Sequence, residues 1–233
     1  LSTLTNCDAN NNIVTDIDSN STYVNNDTTS ITSDSIKHYL ALGDSYTIAQ
    51  SVASNKSFPA QLRDCLKETP KVDLELEIIA ATGWTTGDLI AALEKGSNRS
   101  AYNLVTLLIG VNNQYQGNSF NDYKNEFIEL LNKATHFAKG NRKDVIVVSI
   151  PDYAYTPFGE GNRNISKDID KYNDFAKSHC NSIDITYVNI TDITRKGLEN
   201  DDLVASDGLH PSKLAYTKFV NRMLPYAIEK LKN

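Results

Sequence analysis

The chain has 233 residues, of which 40% are hydrophobic, and its 29 acidic and 23 basic side chains leave a net charge of −6. That length suits one sizeable α/β domain and does not require two. The acidic balance argues against nucleic acid or anionic membrane as the main partner, and the chain has no run of about 18 apolar residues to span a bilayer.

Residues 1–35 are rich in Asn, Ser, Thr and Asp and poor in large apolar side chains. Such a segment buries too little surface to offset its ordering entropy, so it reads as a flexible polar tether ahead of one domain over 36–233. The chain starts at Leu1 rather than Met, as a processed or trimmed chain does. Leu4-Thr5-Asn6-Cys7-Asp8 loosely resembles the end of a bacterial lipoprotein signal, with Cys7 as the lipid anchor and Asn6 departing from the usual small residue. An incidental cysteine in a disordered tail is the equal alternative. The first reading makes the protein exported: periplasmic, secreted or lipid-anchored. Cys65 and Cys180 show no metal or CxxC spacing and are expected as two separate buried thiols, with pairing in an oxidising compartment as the alternative.

From residue 36 onward, apolar runs alternate with helical patterns. A strand over 39–42 is followed by a helix over 58–67, a strand over 74–80 and a helix over 86–95. The nearly continuous apolar runs inside 103–109 and 144–150 read as strands covered on both faces. Between them Phe120, Tyr123, Phe127, Leu130, Leu131, Ala134 and Phe137 recur at helical spacing, with Ser119 and Asp122 as an N-terminal cap. After a loop over 151–164, rich in Tyr, Pro and Gly and placed to cover part of a cleft, come a helix over 167–179, a strand over 185–189 and a helix over 212–231 interrupted at Pro225. Strand–helix alternation predicts a parallel sheet with helices on both sides, whose site lies at the carboxyl ends of the strands. Ser45, Gly83 and Asn112 each fall just after a predicted strand and so converge on one rim.

Ester hydrolysis by serine needs a nucleophile, a base and donors for the developing oxyanion. Ser45, in Gly43-Asp44-Ser45-Tyr46, is the candidate nucleophile, with a plain helix cap as the competing role. Of four histidines, His136 and His179 sit in helical patterns and His38 precedes the first strand, which leaves His210 as the candidate base. Asp207 lies three residues upstream, where a carboxylate can accept from one imidazole nitrogen while the other faces the serine. Pro211 suits the first position of the following helix. Gly83 offers a backbone N–H open to close approach, Asn112 a side-chain amide, and Ser45 its own N–H. Together these make a three-donor oxyanion hole.

These blocks, Gly43-Asp44-Ser45, Gly83 in Ala81-Thr82-Gly83-Trp84-Thr85-Thr86, Gly110-Val111-Asn112-Asn113 and Asp207-Gly208-Leu209-His210-Pro211, resemble the four sequence blocks of the SGNH (GDSL-type) serine hydrolases. The resemblance spans about residues 38–223. It implies a flavodoxin-like three-layer α/β/α sandwich around a parallel sheet and a hydrolase needing no metal or other cofactor. It also implies Ser45 as nucleophile, Gly83 and Asn112 as oxyanion donors, and Asp207 and His210 as the remaining catalytic pair. Tyr46 stands where Leu is common and Asn113 where Asp is common. The Gly-x-Ser-x-Gly elbow of the α/β-hydrolases is absent.

Asp44, Tyr46, Trp84, Asn113, Gln114, Tyr115, Tyr153, Tyr155, Phe158 and Leu209 are the candidates for lining a substrate pocket. Aromatics interleaved with amides suit a sugar ester or a small aryl ester, and the lack of an extended apolar stripe favours short acyl groups. The expected partner is thus a small-molecule or carbohydrate ester. The alternatives are a lysophospholipase or thioesterase acting on longer chains, and a non-catalytic carbohydrate-binding protein on the same scaffold.

Overall fold

The computed structural model describes residues 36–68, 72–96 and 101–232, so the predicted tether and Cys7 lie outside the described residues. In chain order the elements are β1 (Lys37–Asp44), α1 (Ser45–Ile48), α2 (Phe58–Glu68), β2 (Leu74–Ala81), α3 (Thr86–Lys95), β3 (Leu104–Leu108), α4 (Val111–Tyr115) and α5 (Phe120–Phe137). They continue with β4 (Val145–Val148), α6 (Arg163–Ser182), β5 (Thr186–Val188), α7 (Thr191–Thr194) and α8 (Lys213–Lys230). All strand pairings are parallel, and the order across the sheet is β2-β1-β3-β4-β5.

Register and burial explain why these segments became strands. Leu42 lies opposite Ile79 of β2 and Leu107 of β3, and Gly43 opposite Ala80 and Leu108. Every residue of β3 and β4 is buried, as their unbroken apolar runs require. The edge strand β2 instead alternates, with Glu75 and Glu77 among its charges, which discourages pairing with another chain.

Right-handed crossovers set the layers. The step from β1 to β2 runs one way along the sheet and the steps from β2 through β3 and β4 to β5 run the other, so α2 covers one face and α3, α5 and α6 the other. The packing agrees, since α2 sits against α8 while α5 sits against α3 and α6. On α5, Tyr123, Phe127, Leu130, Leu131 and Ala134 all turn inward. Each large side chain in that row contributes about 1.5–3 kcal/mol of burial. Ser119 caps the helix by accepting from the Asp122 N–H at 3.3 Å.

Some expectations are corrected. Helix α8 runs on through the exposed Pro225, because Met223, Leu224 and Ala227 keep its core side packed and outweigh the hydrogen bond the proline forfeits. Helix α6 starts at Arg163 rather than 167, capped by the Asn162 side chain. Strand β1 takes in His38 rather than starting after it. Cys65 on α2 is disulfide-bonded, not a separate thiol, whereas Cys180 on α6 is free and buried. The two helices cover opposite faces of the sheet, so these cysteines cannot reach one another. Among the described residues no helix is long and apolar enough to cross a membrane.

Candidate active site

Strand order reverses between β1 and β3, and in open parallel sheets the crevice beyond such a reversal is where ligands sit. Ser45 is the first residue of α1, directly after β1, and Asn112 is the second residue of α4, two residues past Gly110. The turn into α1 is tight. A Cβ on Gly43 would stand 2.1 Å from Thr47 Oγ1 and 2.4 Å from the Leu108 carbonyl oxygen, so only glycine allows α1 to fold back onto the end of its own strand. Asp44 caps α1 by accepting from the Tyr46 N–H at 2.9 Å.

His210 reaches Ser45 from the opposite end of the chain. Its Nε2 lies 3.0 Å from Ser45 Oγ, and its Nδ1 lies 2.7 Å from Asp207 Oδ2. The acid loop is built around its own carboxylate, since Asp207 Oδ1 accepts from the backbone N–H groups of Leu209 and His210, both at 2.9 Å. Gly208 supplies the left-handed residue of that turn at φ +72°. Ser51 Oγ donates to Asp207 Oδ2 at 2.6 Å. Partial burial works against the Asp207 charge, but hydrogen bonds from Ser51, His210 and Leu209 outweigh it and hold the carboxyl well below the usual range. Tyr46 packs its ring against the His210 imidazole, centroids 4.9 Å apart at 50°. Pro211 is not the first residue of α8; it precedes Ser212, whose hydroxyl caps that helix.

Three donors gather beside Ser45. Its own N–H heads α1, where the first turn has no intrahelical acceptors. Gly83 sits at φ +80° with open space where a Cβ would project. The Asn112 amide donates to the Trp84 carbonyl at 2.9 Å and to Asp44 Oδ2 at 3.4 Å. Gly110, at φ +126°, sets up the turn into α4; a Cβ there would meet the Tyr123 ring at 2.7 Å.

A cavity of about 240 Å³ opens onto this group. Ser45, Gly83, Asn112 and His210 line it together with Tyr46, Thr82, Val111, Tyr115, Tyr153, Phe158 and Leu209. Tyr115, Tyr153 and Phe158 form a triangle of rings with centroids 6.0–6.2 Å apart. The predicted covering loop after β4 carries two of these rings. It is pinned from below by Asp152, which has no exposed surface and accepts from Arg195 Nε at 2.8 Å, Ser166 Oγ at 2.7 Å and the Ala154 N–H at 3.1 Å.

Several residues expected at the pocket are elsewhere. Asp44 is fully buried beneath Asn112, and burial pushes its carboxyl up to about 7 against the opposing Tyr46 N–H bond. Asn113 is 1% exposed. It accepts from the Thr86 N–H at 3.0 Å and donates to the Thr86 hydroxyl at 2.6 Å, which ties α4 to α3. The Thr86 hydroxyl in turn bonds Glu126. Trp84 packs its side chain on the core and offers the site only its carbonyl. Gln114 bridges the Tyr153 hydroxyl and Asp168 behind the cavity wall. Tyr155, like Trp84 and Gln114, does not line the cavity. Sequence reasoning missed Thr82, Val111 and Ser51, which sit in loops or a helix too short to show periodicity. Thr82 and Val111 had a signal, as the neighbours of Gly83 and Asn112 in the second and third blocks.

The model of the GDSL-like lipase/acylhydrolase family matches residues 41–218. No curated protein sequence matches the chain significantly. Among solved structures the chain is similar to Axe2, an acetylxylan esterase from Geobacillus stearothermophilus, with TM-score 0.65 and 19% identity over 82% of this chain and 94% of that one. It is similar to TesA with TM-score 0.66 and 16% identity, covering 84% of this chain and 100% of the other. The psychrotrophic esterase EstA from Pseudoalteromonas sp. gives TM-score 0.60 and 20% identity over 84% and 100% of the two chains. At such identities these structures speak for the shared fold.

Proposed function

The chain belongs to the GDSL-like lipase/acylhydrolase family and is a hydrolase, and from that premise we propose that it is a serine esterase acting on carboxylic esters with short acyl groups, acetylated carbohydrates among them. The observation that carries this reading is the chain of hydrogen bonds from Asp207 through His210 to Ser45 at the mouth of the 240 Å³ cavity. His210 Nε2 takes the Ser45 proton as Oγ attacks the ester carbonyl, and Asp207 stabilises the imidazolium that forms. The oxyanion accepts from the Ser45 and Gly83 N–H groups and the Asn112 amide. The alcohol leaves with the proton from Nε2, and water, deprotonated by the same nitrogen, then releases the acid from Ser45.

The preference for short acyl groups rests on volume. The cavity beside Ser45 is small, about 240 Å³, with room for an acetyl or butyryl group and part of its alcohol. A second reading, action on longer chains as in a lysophospholipase or thioesterase, draws on Tyr115 and Phe158. Both rings are about half exposed and extend the apolar wall outward. A series of p-nitrophenyl esters separates the two, with an optimum at C2–C4 expected and an optimum at C12 or above favouring the second. Ser45→Ala should abolish turnover and labelling by a covalent serine probe while leaving the circular dichroism spectrum unchanged. Retained turnover would remove Ser45 from the chemistry, and a wild type that takes no label would favour a non-catalytic binding protein. The Cys65 disulfide supports an oxidising compartment and hence an exported enzyme.

A further inference from the structure

The exit from α1 is unusual. Ala49 closes the helix at φ +61°, and Ser51 follows at φ +66°, two side-chain-bearing residues in the left-handed region within three positions. Such a conformation is uncommon for residues other than glycine and asparagine, and it persists where the surroundings over-determine it. Here the backbone is held by hydrogen bonds from the Gln50 N–H to the Ser45 carbonyl and from the Val52 N–H to the Ala49 carbonyl. From this turn Gln50 and Ser51 reach two different neighbours of the nucleophile. Gln50 accepts from the Thr82 hydroxyl at 2.7 Å, one residue before Gly83, while Ser51 Oγ donates to Asp207 Oδ2 at 2.6 Å across 156 positions of sequence.

We propose that Ser51 is a positioning residue for the acid–base pair, holding Asp207 Oδ2 on His210 Nδ1 through a second donor to the same oxygen. The proposal rests on the reading of Asp207 and His210 as the catalytic pair. The two backbone N–H groups on Oδ1 fix one oxygen from within the acid loop itself. Oδ2 is the oxygen that faces the imidazole, and Ser51 is what ties it to a different part of the fold, the turn that leaves the nucleophile's own helix α1. Asp207 is thereby registered against Ser45 through six residues of chain rather than through the whole domain. Four donors saturate the carboxylate, which keeps it ionised and unable to swing away. The hydrogen bond from Ser51 is the largest of the influences that lower its pKa against the cost of partial burial. The other titratable groups that feel its charge are the Tyr46 and Tyr216 hydroxyls, both kept neutral by burial.

Ser51→Gly separates this role from a structural one, because glycine suits the left-handed backbone while removing the donor. The variant should melt close to the wild-type temperature, since relief of the left-handed backbone offsets the lost hydrogen bond. Its plateau kcat/KM should nonetheless fall about tenfold, the kinetic worth of a charge-assisted hydrogen bond partly replaced by water. The loss should be in kcat with KM little changed. The acidic limb of its pH–rate profile should move to higher pH by a few tenths of a unit, since Oδ2 without Ser51 presents more of its charge to the imidazolium. Ser51→Ala should show the same kinetic signature, and Ser51→Asn, which tolerates the left-handed region and carries an N–H donor, should recover much of the rate. Wild-type kcat/KM and an unmoved acidic limb in Ser51→Gly would overturn the proposal. Ser45→Ala and His210→Ala run alongside: if both are dead while Ser51→Gly is unaffected, only the role of Ser51 falls. If they retain turnover, the catalytic reading falls with it.

Discussion

Replacing Asp44 by asparagine should change how stability depends on pH, and the structure sets both sign and size. The carboxyl is fully buried, and burial raises it from 3.8 to about 7, with the Tyr46 N–H bond opposing. The folded protein therefore holds this proton more tightly than the unfolded chain. The stability this confers is complete below about pH 4 and lost as pH rises through about 7. A difference of about 3 units at 1.36 kcal/mol each makes the swing on the order of 4 kcal/mol. Asparagine does not titrate, so the stability of the variant relative to wild type should climb by up to that amount between about pH 4 and pH 8. Other groups cancel in the comparison, including Asp207, whose lowered carboxyl acts in a separate window, below 3.8. A constant offset is expected as well, because the introduced amide would face the Asn112 amide where an acceptor stood at 3.4 Å. Urea unfolding of both proteins, followed by circular dichroism at half-unit steps of pH, measures the difference directly. Parallel stability profiles across that window would refute the buried, proton-binding carboxyl.

Two further substitutions test the frame around the site. Gly43→Ala should destabilise by about 3 kcal/mol or more, at or beyond the upper end for overpacking, since the new methyl meets both Thr47 Oγ1 and the Leu108 carbonyl. Adding Thr47→Ala should recover only part of that loss in chemical denaturation; full recovery would show that the Leu108 backbone yields. Arg195→Ala leaves the Asp152 carboxylate buried without its cation. It should cost about 3–5 kcal/mol, and a loss under about 1 kcal/mol in the same assay would mean that Ser166 and the Ala154 N–H suffice.

Burial decided which parts of this fold were legible in the sequence. The strands β3 and β4 are covered on both faces, so their apolar runs are unbroken and mark the sheet unmistakably. The long amphipathic α5 announced itself by period, and Ser119 by its cap. Short helices such as α1, α4 and α7 hold one turn each, too little for a period to show. Pro225 misled because the burial of Met223, Leu224 and Ala227 on the core side outweighs the hydrogen bond the proline forfeits, and that is a property of packing rather than of local sequence. Ser45, Gly83, Asn112, Asp207 and His210 could be singled out because each follows a strand end or stands in a compact block. Asp44 and Asn113 looked equally suited to a pocket. A polar side chain beside a site residue can as well turn inward and bond to backbone, and both do. Ser51 left no trace in sequence, since its role comes from two left-handed residues that no periodicity reports.

Both hydrogens of the Asn112 amide already have acceptors, the Trp84 carbonyl and, more distantly, Asp44. If Asn112 is the oxyanion donor proposed above, an arriving ester must win this donor in a competition. A neutral carbonyl oxygen offers little more than the carbonyl it would displace, so ground-state binding gains almost nothing from the exchange. An alkoxide is a far stronger acceptor, and the swap becomes favourable only as the C–O bond takes on charge. With Asn112 in that proposed role, the amide is withheld from the substrate and released to the tetrahedral intermediate, which lowers the barrier without tightening the Michaelis complex.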